Sequence, residues 1–168
     1  MLTYTDRAGR SRRWEAASRQ GAAGAVFMVS ILHPSERLIF IRQYRPPLDA
    51  YVIEFPAGLI DAGEDAGSAG LRELREETGY RGVVRWISPM ACSSPGMTSE
   101  TVALAIVDID GSLPENQAPA ACPDEGEDIE VLPVYPSDIV PFIQERVARG
   151  DRIDSRVTAY LMGRGMVW

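Results

Sequence analysis

The chain has 168 residues, 45% hydrophobic and 24% charged, which suits one soluble α/β or α+β domain with a sizeable core. A formal charge of −7 and a sequence pI near 4.8 argue against nucleic acid or an anionic membrane as partner, because phosphate-rich surfaces would be repelled. All 17 basic side chains are arginine, so chemistry that needs a Schiff-base or P-loop lysine is excluded, while a small anion can still be held by local guanidinium groups.

The N-terminal stretch MLTYTDRAGRSRRWEAASRQ lacks the apolar core of a signal peptide. Leu2 to Thr5 and Arg12 to Ala17 read as short strands around an Asp-Arg-Ala-Gly turn. Ala22 to Leu32 and Arg37 to Gln43 are β-rich runs joined by His33-Pro34-Ser35, a hairpin pattern. The apolar run from Gly21 to Leu32 is too short to span a bilayer and reads as a buried strand. His33, the one histidine, falls in the turn and reads as a loop residue, not as part of a Ser-His-Asp triad.

Past Pro46 and Pro47, Tyr51 to Phe55 extends again, and a strand, loop and helix follow. Arg81 to Pro89 and Glu100 to Asp108 are expected strands, and Gly111 to Gly126 a long loop of the kind that often carries function. Ile129 to Val134 is the last expected strand. Helices are expected from Pro136-Ser137-Asp138 to about Ala148 and over Ser155 to Met162. Cys92 and Cys122 fit neither a zinc spacing nor a disulfide framework, so both thiols are expected reduced and the protein cytoplasmic.

The most informative stretch is Gly58 to Tyr80, GLIDAGEDAGSAGLRELREETGY. On a helix of 3.6 residues per turn Glu73, Glu76 and Glu77 fall at i, i+3 and i+4 and share one face, while Leu71, Leu74 and Thr78 point toward a core. Like charges at this spacing destabilise an isolated helix by roughly 0.2–0.5 kcal/mol per pair and ask for cations. Arg72 is one, four residues before Glu76; Mg²⁺, which bridges carboxylates to phosphates, fits the rest. Glu64 either orients Arg72 or favours the helix N-terminus, and Gly79 reads as a left-handed cap. A solvated face laced with Arg–Glu pairs would explain the charges alone, but not the whole pattern.

That pattern, G-x5-E-x7-R-E-L-x-E-E-x-G-Y, resembles the Nudix box at all nine of its fixed positions. Four further segments, RRWEAASR (Arg12 to Arg19), RQYRPPLDAYVIEFPAGLID (Arg42 to Asp61), SSPGMTSE (Ser93 to Glu100) and EGEDIEV (Glu125 to Val131), are similar to the ADP-ribose and ADP-sugar pyrophosphatase branch. So is Pro95, fifteen residues beyond the box.

The resemblance implies an α/β/α sandwich with a mixed sheet, residues 21–168 forming the Nudix domain and residues 1–20 a β segment that crosses to the partner in a homodimer. It implies Mg²⁺, with Mn²⁺ able to stand in, held by Glu73, Glu77 and the Ala57 carbonyl, with Glu76 as an additional ligand. Arg45 and Arg19 match ligand-contacting arginines, and Trp14 matches an adenine-stacking residue reaching across the dimer. Glu15, Pro95, Gly96 and Met97 complete the expected substrate contacts. Human-like members of the branch carry a longer N-terminal extension with a second aromatic for the other face of the adenine, whereas this chain starts close to Trp14, and Tyr4 is the candidate substitute.

The expected catalytic residues are Glu127, Glu100, Glu76 and Arg72. Two loop glutamates compete as base. Glu127 matches the eukaryotic-type ADP-sugar enzymes and is placed first, and Glu100 follows SPG-x-T-S as in bacterial ADP-ribose enzymes. The implied activity is cleavage of ADP-ribose or a close ADP-sugar to AMP and sugar phosphate. Another nucleoside diphosphate sugar such as GDP-mannose is the enzymatic alternative. A silent ADP-ribose sensor is the alternative of another class, and its signature, loss of box carboxylates, is missing here.

Overall fold

A computed structural model describes residues 1–19, 21 and 23–168. Strands β1 (Leu2–Thr5) and β2 (Ser11–Trp14) form an antiparallel hairpin, from Leu2 opposite Trp14 to Thr5 opposite Ser11. The side chain of Asp6 closes its turn by accepting hydrogen bonds from the amides of Ala8 and Arg10 and from Nε of Arg12. The second strand stops at Trp14, short of the expected Ala17, because Ala17 bridges Thr98 instead. Every residue of both strands is exposed, and among the described residues neither strand joins the main sheet.

The centre of the molecule is β3 (Gly24–His33) with β4 (Arg37–Arg45). The expected start of the former at Ala22, and the boundary drawn at Gln20, lie outside the described residues. These two strands pair over only two rungs, Ile31 with Leu38 and Leu32 with Arg37, and then part. Into the gap comes β6 (Ala57–Ile60), antiparallel to Gly24–Phe27, so the start of the carboxylate-rich segment is hydrogen-bonded to the central strand. On the other edge of β3 runs β9 (Thr101–Asp110), parallel to it.

The sheet is completed by β5 (Ala50–Glu54) and β10 (Ile129–Val134) on β4, and β7 (Val83–Ile87) on β9. Two short strands escaped the sequence reading. They are β8 (Ala91–Cys92), paired with β9, and β11 (Arg152–Ile153), parallel to β5. Each is two residues long and exists through its neighbour, so no local pattern announces it.

Alternation along the strands sorts the core into two layers. Val26, Met28, Ile39, Ala103, Ala105 and Val107 face helix α1 (Ala66–Thr78) through Ala69 and Leu74. Val29, Ile31, Phe40 and Ile53 face α3 (Ile139–Ala148) and α4 (Ser155–Gly163) through Ile139, Ile143, Val157 and Leu161. Phe40 stacks between Phe55 and Phe142 at 5.3 and 5.9 Å between ring centroids. The result is the expected α/β/α sandwich around a mixed sheet.

The expected loop from Gly111 to Gly126 contains a turn of helix, α2 (Pro114–Gln117), begun by proline in the first turn. Its buried Asn116 accepts from the amide of Arg81 and donates to the carbonyls of Arg81 and Asp110. His33 does not lie in the turn but ends β3, 3.0 Å from Asp108 and 2.6 Å from Glu36. These two carboxylates, Asp108 first, raise its pKa, and among the described residues no serine joins it. Among the described residues no helix is long and apolar enough to cross a membrane.

Helix α1 is fixed at both ends. The Asp65 carboxylate caps the amides of Gly67 and Ser68, and Gly79 closes the helix with φ 76° while its amide bonds to the carbonyl of Arg75. A Cβ at Gly79 would sit 2.4 Å from the backbone nitrogen of Ala120, whereas one at Gly63, φ 86°, would meet nothing within 4 Å. Urea denaturation should therefore show Gly63→Ala costing about 1–2 kcal/mol, the left-handed strain alone. Gly79→Ala should cost clearly more, because collision with fixed backbone adds to that strain.

Candidate active site

Helix α1 turns its acidic face toward the start of β6. Glu77 is 3% exposed, and its Oε2 accepts a hydrogen bond of 3.0 Å from the amide of Ala57. Burial, with the neighbouring charges of Glu73 and Glu127 adding to it, pushes its pKa up to about 8. The Ala57 amide and Arg45 pull the other way. Glu73 is also raised, by burial first, against the opposing pull of Arg72. The carboxylate of Glu73 lies directly over Gly58, where a Cβ would fall 1.9 Å from its Cδ. Glycine in this position leaves the space that the carboxylate occupies.

Arg72 spends its guanidinium on this face. Nε and Nη2 donate to Glu64 at 3.2 and 3.0 Å, Nη1 to Glu73 at 2.9 Å and Glu76 at 3.0 Å, and Nη2 also to the carbonyl of Leu59 at 3.1 Å. Glu64 therefore orients Arg72, one of the two readings its position allowed. Glu76 is the most accessible of the three helix carboxylates. Among the described residues no three carboxylates, thiols or imidazoles converge on one point, since Glu73 and Glu76 turn onto Arg72 and Glu77 onto Ala57.

Carboxylate oxygens are the donors a hard divalent cation prefers, and Glu73, Glu76 and Glu77 offer them on one helix face, although as placed Glu73 and Glu76 are engaged by Arg72 and Glu77 by the Ala57 amide. Facing these carboxylates from β4 is Arg45, half-buried and forked onto the buried Glu54 with two contacts of 3.0 and 3.1 Å from Nε. Its charge reaches Glu77 on one side and Arg156 on the other. Arg156, in the first turn of α4, is doubly bonded to Asp154 at 2.9 and 2.7 Å and lies 5.4 Å from the ring centroid of Phe27.

A second group of expected residues gathers on the loop before β9. Trp14 donates from Nε1 to the carbonyl of Gly96 at 2.8 Å, the amide of Ala17 bonds to the carbonyl of Met97, and Arg19 pairs with Glu100 at 3.2 Å. Trp14 remains 50% exposed. Pro95 and Glu15 are exposed, and Glu15 makes no side-chain hydrogen bond among the described residues. Arg19, Gly24, Ser99 and Glu100 line a cleft of about 80 Å³.

The two loop glutamates fall in different surroundings. Glu127 is near enough to raise both Glu73 and Glu77, while Glu100 sits by Arg19 and its charge is felt by Arg156. Two residues of the site were missed in the sequence. Glu54 left a trace, as the lone charge in the apolar run Tyr51 to Phe55. Arg156 left none, since an arginine in the first turn of an amphipathic helix is ordinary.

The NUDIX domain model matches residues 22–146. An ADP-ribose pyrophosphatase of Saccharomyces cerevisiae is 37% identical over 174 residues, covering 96% of this chain and 74% of its own. An ADP-sugar pyrophosphatase of Mus musculus is 37% identical over 166 residues, covering 94% and 76%. A crystal structure of an ADP compounds hydrolase superposes with a TM-score of 0.65 over 98% of this chain and 86% of its own, at 22% identity, which is a likeness of fold. Divalent-metal dependence is general among the ADP-ribose pyrophosphatases of this family. With the domain match running through most of the sheet and the whole carboxylate helix, the chain belongs to the NUDIX hydrolase family.

Proposed function

We propose that the chain hydrolyses the diphosphate of ADP-ribose or a related ADP-sugar, giving AMP and the sugar phosphate. The observation that carries this reading is the acidic face of α1, Glu73, Glu76 and the buried Glu77, set opposite Arg45. The relatives' names supply the nucleotide. In this reading Glu73, Glu77 and the Ala57 carbonyl would hold Mg²⁺, with Glu76 as an additional ligand and Mn²⁺ as a substitute. When bound, such an ion neutralises charge on the phosphates and lowers the pKa of water.

The chain's own residues do the rest. Arg45, preset by Glu54, offers its remaining donors to a phosphate oxygen, a task for which a planar fork is suited. Arg72 positions the carboxylates and does not meet substrate. Glu127 accepts the proton of the attacking water; its exposed position on a loop, with its charge felt by both Glu73 and Glu77, favours it over Glu100, which is engaged by Arg19. Trp14 stacks on the adenine, worth on the order of 1–3 kcal/mol. Glu15, Arg19, Pro95, Gly96 and Met97 surround it, and Tyr4 is the candidate for the second face. The exposed apolar side chains of Leu2, Tyr4 and Trp14 support a homodimer in which residues 1–20 cover the partner's site. The exposed thiols of Cys92 and Cys122 fit a reducing cytoplasm.

A panel of ADP-ribose, ADP-glucose, GDP-mannose, NADH and flavin adenine dinucleotide, assayed with Mg²⁺ and with products identified, tests the substrate. AMP and ribose phosphate from ADP-ribose, formed faster than GDP-mannose is cleaved, are expected. Glu77→Gln keeps an oxygen for the Ala57 amide and so should fold, yet lower turnover by about 10²–10³-fold, the cost of removing a charge-stabilising group. Wild-type rates in that variant would remove Glu77 from the site.

At saturating substrate and metal, single-turnover rates should fall further in Glu127→Gln than in Glu100→Gln. The opposite order moves the role of base to Glu100.

If the adenine and diphosphate ends belong to different subunits, mixing Trp14→Ala with Glu77→Gln under proven subunit exchange should restore activity, because one site of the heterodimer holds both intact residues. Absence of recovery would keep Trp14 in cis or in packing.

A further inference from the structure

The base assigned above sits on an exposed segment, and a tyrosine outside the site bonds the side chain of the residue that follows it. We propose that Tyr51 and Asp128 form a positioning pair that sets the reach of Glu127 toward the carboxylate helix, an inference that rests on Glu127 being the base. The Tyr51 hydroxyl donates to Oδ2 of Asp128 at 2.7 Å, a charge-assisted bond between β5 and the residue that follows Glu127.

The tyrosine is itself a firm anchor. Its ring lies 3.6 Å under the guanidinium of Arg42, and the edge of Tyr44, its partner across the β4–β5 ladder, meets it at 5.6 Å and 66°. Arg42 in turn is doubly bonded to the buried Asp151 at 2.9 and 3.0 Å. The chain from Asp128 to the folded core is therefore continuous.

On its other side Glu127 closes a turn. Its amide bonds to the carbonyl of Asp124 at 3.1 Å, with Gly126 at φ 93° between them. Farther back, the amide of Cys122 holds the carbonyl of Glu76 on α1 at 2.8 Å. The Glu127 backbone is thus pinned between a turn and an anchored aspartate. Its carboxylate is exposed and accepts a 3.3 Å hydrogen bond from the amide of Asp124. A fixed backbone whose exposed carboxylate is held by one long hydrogen bond suits a base that meets its water only in the substrate complex.

Steady-state kinetics of single and double variants on ADP-ribose with Mg²⁺ test the pair. Tyr51→Phe removes one oxygen and keeps the ring on Arg42. Its kcat should fall about tenfold or more, the worth of one hydrogen bond to a charged group, with KM within about twofold. Asp128→Ala should match it, Asp128→Asn, which keeps an acceptor, should recover part of the loss, and the double variant should be no slower than either single one. In a Glu127→Gln background Tyr51→Phe should cost nothing more. Amide exchange over 124–128 should quicken in Tyr51→Phe while α1 is unchanged.

Full kcat in Tyr51→Phe and Asp128→Ala, with Glu127→Gln inactive, would overturn the pair and leave the base standing. An equal loss from Tyr51→Phe in both backgrounds would also overturn it, since the tyrosine would then act apart from Glu127. Wild-type activity in Glu127→Gln alone would remove the base and, with it, anything for the pair to position.

Discussion

Everything about the site depends on keeping a carboxyl group buried beside two others in a protein that is already acidic. Three carboxylates on one face of α1 repel one another, and Glu77 is buried, so the helix holds its place only because other interactions outweigh that cost. Arg72 does part of this by bonding Glu64, Glu73 and Glu76 at once. Leu74 and Ala69, both fully buried, do another part by locking the opposite face onto β3 and β9. Capping by Asp65 and Gly79 fixes the helix ends, so the register of the carboxylates relative to Ala57 is set by groups that never meet substrate. Gly58 then leaves room for Glu73.

The same logic of paired charge extends away from α1. Glu54 and Asp154 each hold an arginine, Arg45 and Arg156, and those two cations repel each other while both face acidic neighbours. Through these two arginines the charge of Glu77 on the carboxylate helix and that of Glu100 on the loop before β9 are felt in one network. Truncating either aspartate or glutamate would leave an unmatched guanidinium beside the aromatic ring of Phe27 or the floor of the site, a larger disturbance than loss of an exposed ion pair.

Most of the fold was legible because its elements carry their own local signals. β-rich apolar runs marked the long strands, and Gly79 and the Pro136-Ser137-Asp138 sequence marked helix ends. The box spacing announced the acidic face outright. What stayed hidden was set by distant partners. The two-residue strands β8 and β11 exist only as neighbours of β9 and β5. Trp14 ended its strand early because the chain beyond it joins the loop at Thr98. Arg156 and Asp128 look like any charged residue in sequence. Their placement follows from where α4 and β10 meet the sheet, which is a property of the whole chain.

The adenine-side residues are attached to the molecule quite differently from the carboxylates. Trp14 and Arg19 touch the loop before β9 through single side-chain bonds, Ala17 through one backbone bond, and β1 and β2 lie outside the sheet. Replacing this hairpin would therefore disturb few core contacts. Within one subunit, substitutions in it face weaker stability constraints than those around Glu77. In lineages with this layout the end assigned to the nucleobase is free to drift toward new ligands while the diphosphate end stays fixed, so divergence among relatives should be concentrated in the hairpin and its docking loop.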